Sequence, residues 1–183
     1  MDLGLRGRVY LVTGGSRGLG FAGAQALIAD GARVVLSGPH ESSVAAAAAR
    51  LADAGGTAGA ATWVVADNAD PAAPGQLIAA ARNRFGRLDG ALISVGGTPT
   101  GTVAATTDDA WRAAFDGVFL GAIRLARELV TELSGTAGDG AATGTGGSLI
   151  FVLGSSVRTP LPELAISNGL FPGLAGVVKT LAD

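Results

Sequence analysis

The chain has 183 residues, a formal net charge of −2 and no cysteine, so disulfides, thiolate catalysis and cysteine-ligated metal are excluded. His40 is the one histidine, which leaves no cluster for a histidine-based metal site, and a balance this slightly acidic offers no basic stripe for nucleic acid. Hydrophobic residues reach 48%, yet no apolar run approaches the ~18 residues that span a bilayer and no charged-then-apolar leader opens the chain; the expectation is a cytoplasmic protein of one domain, residues 1–183, with no membrane or nucleic-acid partner.

In chain order, an apolar strand at 9–12 breaks into Gly14-Gly-Ser-Arg-Gly-Leu-Gly20, and the turn opens a helix over 18–30. A strand at 33–36, a helix at 42–54, a strand at 62–66, a helix at 73–85 and a strand at 90–95 follow. Thr106-Thr-Asp-Asp109 then supplies a capping hydroxyl and acids at the positive end of a long helix over about 108–133. Its Phe115, Val118, Phe119, Ala122, Ile123, Ala126 and Leu129 form a broad apolar stripe, most of which packs on the sheet. Residues 134–147 are a glycine-rich flexible connection to a fifth strand at 148–153, and a last helix runs to the end at Asp183. Strand–helix alternation of this kind predicts an α/β fold, a doubly wound parallel sheet of about five strands with helices on both faces.

The glycine segment carries the chemistry. Glycines let the backbone turn tightly and approach a pyrophosphate, while the free N–H groups and positive end of the next helix attract its charge. The other reading is a purely structural βα turn that holds no ligand.

Thr13-Gly14-x-x-x-Gly18-x-Gly20 resembles the pattern of the short-chain dehydrogenase/reductase family. Arg87-Leu-Asp-Gly-Ala-Leu-Ile93 looks like its fourth strand, and Gly96-Gly-Thr-Pro-Thr-Gly101 resembles the following loop of 3-oxoacyl-ACP-reductase-like members. Leu174-Ala-Gly-Val-Val-Lys-Thr-Leu-Ala182 resembles the end of the family's catalytic helix. The resemblance implies a Rossmann-like fold, a nicotinamide dinucleotide as ligand, and a homo- or hetero-oligomer paired through the 108–133 helix. Family members continue through two further strands and a substrate lid. If the product ended at Asp183, the fifth strand would be a sheet edge that wants a covering partner.

On the cofactor side, the resemblance places Gly14, Ser16, Arg17, Gly18, Leu19 and Gly20 at the phosphates. A basic residue at Arg17 favours NADP in similar members, although a solvated loop arginine is the competing reading. The second strand ends Leu36-Ser-Gly-Pro-His40 with no acid for a ribose hydroxyl, so NADP is preferred over NAD. Pro39 falls where NADP-preferring relatives often place arginine, which leaves Ser37 and His40 as weaker phosphate contacts. Asp67 either contacts adenine or caps the turn after the third strand. The family's Asn-Asn-Ala-Gly motif reads Ile93-Ser-Val-Gly96, so Gly96 remains and both amides are gone.

The catalytic side fails by inventory. Family chemistry needs a tyrosine whose phenol ionises beside a lysine four residues later on the same helix. Here Tyr10 lies in the first strand and Lys179 is the one lysine, so no Tyr-x-x-x-Lys pair exists. Aligning back from Lys179 places Ser167 at the tyrosine position, Phe171 at the lysine position and Val118 at that of the relay asparagine. Ser155 or Ser156 is the candidate for the carbonyl-polarising serine, with strict spacing falling on Gly154. Glu163 reads as a solvated loop acid rather than a replacement proton donor. The expectation is a catalytically degenerate cofactor-binding protein or inactive subunit. One alternative is an NADP-dependent reductase of a ketone or 3-oxoacyl thioester with a non-standard proton donor; another is a structural partner with an empty nucleotide site.

Overall fold

The computed structural model describes residues 3–53, 59–135 and 147–182. Five parallel strands, β1 (Val9–Thr13), β2 (Arg33–Gly38), β3 (Ala61–Val65), β4 (Gly90–Ser94) and β5 (Ser148–Val152), form one sheet in the order β3-β2-β1-β4-β5. This is the α/β doubly wound sheet that the alternation predicts. The flexible connection expected over 134–147 falls mainly on residues 136–146, outside the described residues.

Alternation of side chains along the strands divides the core. Val12, Val34 and Leu36 pack against α1 (Gly18–Ala29) and α2 (Glu41–Asp53). Val9, Leu11, Val35 and Ile93 face the other way, onto α3 (Ala73–Phe85) and α5 (Gly121–Gly135). In α1, Gly20, Ala24 and Ile28 make the buried stripe at four-residue spacing, and their small size lets the helix lie close to the sheet. β1 is buried along its whole length because it is covered on both faces and paired on both edges.

Two expectations are corrected. The helix anticipated over 108–133 is three segments: α4 (Asp108–Ala114), a π-helical turn (Phe115–Leu120) and α5. The widened turn coincides with a close approach to the chain after β3. A Cβ on Gly121 would overlap the Asn68 carbonyl, and Arg124 Nη1 donates to the Ala69 carbonyl at 3.1 Å. Thr107 caps α4 as anticipated, its hydroxyl accepting from Ala110 N at 3.2 Å. β3, anticipated as a buried-type strand at 62–66, pairs with β2 alone and is an edge, so Trp63 and Val65 are 37% and 42% exposed.

The other edge is β5, where Ile150, opposite Leu92, is 58% exposed on the α1 side of the sheet. Asp89 secures the start of β1: its Oδ2 accepts from the buried Val9 N at 2.9 Å and from Arg87 Nε at 2.8 Å. That hydrogen bond, with the attraction of the carboxylate, holds the Arg87 guanidinium above its ordinary pKa.

Candidate functional site

The strand order reverses beside β1, because β2 lies on one side of it and β4 on the other. Loops leaving β1 and β4 therefore diverge to opposite faces and open a crevice at the carboxyl ends of the strands. A cleft of about 790 Å³ lies there, walled by Gly14, Ser16 to Gly18, Gly38 to His40, one face of α2, and Ser94 to Gly97. A smaller recess of about 190 Å³ continues past Asp67, Asn68, Gly117 and Val118.

The glycine turn forms one wall for reasons that differ by residue. Gly14 has φ +59°, and a Cβ on it would stand 2.9 Å from the Ser94 carbonyl, so both conformation and contact demand glycine. Gly18 has φ +57° but open space beside it. Gly20 packs without a positive φ, and a Cβ there would overlap the Gly14 carbonyl. Arg17 is the N-cap of α1 and makes no side-chain cap hydrogen bond, so the helix presents uncapped N–H donors toward the cleft.

The remaining cofactor candidates divide. Ser16, Arg17, His40 and Gly96 line the cleft with Gly14 and Gly18. Leu19 is 70% exposed and Gly20 lies beneath the turn, so neither side of the cleft uses them directly. Ser37 is 1% exposed, its carbonyl accepts from Gly15 N at 3.1 Å, and its Oγ is the buried side-chain oxygen without a hydrogen-bond partner among the described residues. Asp67 Oδ1 accepts from Ala69 N at 2.9 Å, closing the turn after β3, and the residue also lines the smaller recess. The close-approach glycine turn and the capless helix start have the chemistry that suits a pyrophosphate, whereas Ser37 lines neither cavity. Ser43 and Arg50 of α2 also line the cleft. Sequence reading missed them. The signal was there, since 43, 46, 47 and 50 share one face of a helix, but which face meets the cleft depends on packing.

The anticipated catalytic positions converge at the carboxyl end of β5. A single 3-10 turn (Ser155–Val157) and the first turns of α6 (Ala165–Ala182) bring Ser156 Oγ to 2.7 Å from Ser167 Oγ. The two hydroxyls are 2% and 4% exposed and bond to each other. Phe171 is buried against Ala114, Val118, Ile166 and Leu170, and its ring lies under Gly154, where a Cβ would stand 2.7 Å from it. Ser155 is exposed instead, on a separate recess of about 510 Å³ with Leu153, Val157 and Arg158. Glu163 is exposed, in keeping with a solvated loop acid; its carbonyl accepts from Gly101 N at 2.7 Å, and Ala165 N donates back to Gly101 at 3.1 Å. The loops after β4 and before α6 are thereby clipped together beside the site. Tyr10 lies within β1 and Lys179 near the end of α6, so neither is placed to serve this region.

No group of His, Cys, Asp or Glu among the described residues could hold a metal ion, and no helix among them is long and apolar enough to cross a membrane.

The model of the short chain dehydrogenase family matches residues 8–166. An uncharacterized oxidoreductase of Methylorubrum extorquens is 31% identical over 179 residues, covering 98% of this chain and 67% of that protein. The 3-alpha-(or 20-beta)-hydroxysteroid dehydrogenase of Mycobacterium tuberculosis is 31% identical over 194 residues, covering 96% of this chain and 71% of its own length. The structure of L-sorbose reductase from Gluconobacter frateurii, complexed with NADPH and L-sorbose, superposes with a TM-score of 0.87 at 28% identity, over 100% of this chain and 65% of that one. The chain spans about two thirds of the length of these relatives.

Proposed function

Since the chain belongs to the short-chain dehydrogenase family, we propose that it binds a nicotinamide dinucleotide, NADP in preference to NAD, and lacks the family's means of proton transfer. In this reading Gly14, Ser16, Gly18 and the start of α1 hold the pyrophosphate, Gly20 keeps the turn tight, and Arg17 and His40 serve the adenosine end, with Ser37 buried behind them. Asp67 lines the adenine recess and Gly96 leaves room beside β4. When bound, the cofactor supplies or accepts a hydride.

The observation that supports degeneracy is the closed Ser156–Ser167 pair beside Phe171. An aliphatic hydroxyl is far less acidic than a phenol of pKa about 10. Phe171 brings no charge to lower it, and its ring fills the space beside Gly154. Ser167 is moreover buried, and its hydroxyl is engaged with Ser156. In this reading the described residues keep the parts that bind and orient, without a group that moves a proton to a carbonyl oxygen. Association through residues 108–133 belongs to the same proposal, with Phe115 and Val130, 43% and 41% exposed, as the apolar contacts.

A second reading is favoured by Ser155. It is exposed at the end of β5, where its hydroxyl can donate to a substrate carbonyl, with water or the substrate itself giving the proton. That reading makes the chain a reductase of a ketone or 3-oxoacyl thioester.

Titration with NADPH and NADH, following nicotinamide fluorescence and melting temperature together, separates these readings. Saturable binding that favours NADPH is expected, and a ligand at 100 times its Kd stabilises by about 2.7 kcal/mol. Absence of binding by either cofactor overturns the proposal and leaves a structural partner with an empty site. Steady carbonyl turnover at ordinary enzymatic rates overturns the degenerate reading alone.

A further inference from the structure

The cleft is cationic in a way the end of β2 does not explain. Pro39 stands after that strand, yet Arg17 and Arg50 both line the cleft, and no Asp or Glu does. Arg50 comes from α2, where Ser43, Ala46, Ala47 and Arg50 follow the i, i+3, i+4, i+7 spacing of a single helix face. The Cα–Cβ tilt of a helix directs a long side chain back toward the α2 N-terminus, where Ser43 and His40 stand.

Arg50 is also held in place. Its guanidinium carbon lies 4.2 Å from the centroid of the Phe21 ring, well within the range of a cation–π contact. Phe21 is one turn beyond Arg17 on α1, so α1 contributes both a cation and the platform that positions the second one. Among the described residues no carboxylate pairs with Arg50: their ion pairs join Arg82 to Glu132, Arg87 to Asp89, and Arg112 to Asp108 and Asp109. A planar guanidinium stacked on a ring keeps its edge donors free, and their fork geometry matches phosphate oxygens.

We infer that Arg50, positioned by Phe21, is the residue that selects a 2′-phosphorylated adenosine in this cleft, in place of a cation after β2. This rests on reading the crevice as a dinucleotide site. It goes beyond that reading by assigning the specificity to α2 and to a ring on α1.

The test uses fragments that carry no nicotinamide, so it is independent of any turnover. Calorimetric titration of the full chain with adenosine 2′,5′-bisphosphate and with 5′-AMP is run on the wild type, Arg50→Gln, Arg50→Lys and Phe21→Leu. Arg50→Gln is expected to weaken the bisphosphate on the order of 10- to 100-fold, as loss of a charged hydrogen bond does, and to leave 5′-AMP within about twofold. It also flattens the dependence of bisphosphate affinity on salt. Arg50→Lys recovers part of the affinity, and Phe21→Leu loses about three- to tenfold because the cation stays but its platform goes. If Arg50→Gln weakens both fragments equally, or neither, the assignment to Arg50 is overturned while the dinucleotide site stands. If the wild type binds neither fragment, both readings fall.

Discussion

Replacing either serine of the buried pair by alanine should cost more than replacing both. Ser156 and Ser167 are 2% and 4% exposed, and their oxygens lie 2.7 Å apart, each serving as the other's partner. Ser156→Ala or Ser167→Ala removes one oxygen and leaves the other hydroxyl dry and unpaired, a penalty of about 2 kcal/mol within a range of roughly 1–3. In a chain of this length each kcal/mol moves Tm by roughly 2–4 °C, so each single variant should melt about 4–8 °C lower. The double alanine leaves no orphan and loses only the net value of the bond, about 1 kcal/mol. The coupling in the cycle is then on the order of 2–3 kcal/mol. Urea unfolding with a constant m-value measures it. If the double variant equals the sum of the singles within about 0.5 kcal/mol, the hydroxyls do not depend on each other and the closed-pair reading of this site is wrong. Neither serine lines the 790 Å³ cleft, so nucleotide fragment affinity should be unchanged throughout the series.

Three further outcomes follow from the same geometry. Gly14→Ala combines a positive φ with the Ser94 carbonyl 2.9 Å away and should cost about 3 kcal/mol. Gly18→Ala pays the conformational term alone, roughly 1–2 kcal/mol, and Gly96→Ala, in open space, stays within about 0.5 kcal/mol; any other order in chemical denaturation contradicts the packing. Asp89→Ala strips the buried Val9 N of its acceptor and Arg87 of its partner, for a loss of about 2 kcal/mol, with protection of the β1 amides from hydrogen exchange falling first. Ser167→Tyr with Phe171→Lys should raise NADPH-dependent carbonyl reduction above the wild type, at a cost in Tm because Phe171 is 7% exposed and its ring lies under Gly154. A wild type already as fast as the double variant overturns the degenerate reading.

Local pattern and inventory carried much of this protein. The strand at 9–12, the turn at Gly14 to Gly20 and the helix after it form a contiguous unit, whose periodicity and glycines specify it without distant contacts. Counting alone excluded a Tyr-x-x-x-Lys pair, since Tyr10 and Lys179 cannot meet at four-residue spacing. Burial of β3 could not be read this way: Val64 and Val65 suit a covered strand, and only the sheet order makes them an edge.

What the sequence determined by itself was therefore the order of strands and helices, the glycine turn after the first strand, and the absence of a Tyr-x-x-x-Lys pair. Tertiary structure alone decided the rest. The π-helical turn coincides with Gly121 meeting the Asn68 carbonyl, more than fifty residues away in the chain. Ser156 meets Ser167 because α6 folds back against the end of β5. Arg50 turns to Phe21 because α1 and α2 share one face of the sheet. Each of these joins residues that no helical or strand period relates. Periodicity can say which face a side chain occupies, whereas only packing says what that face meets.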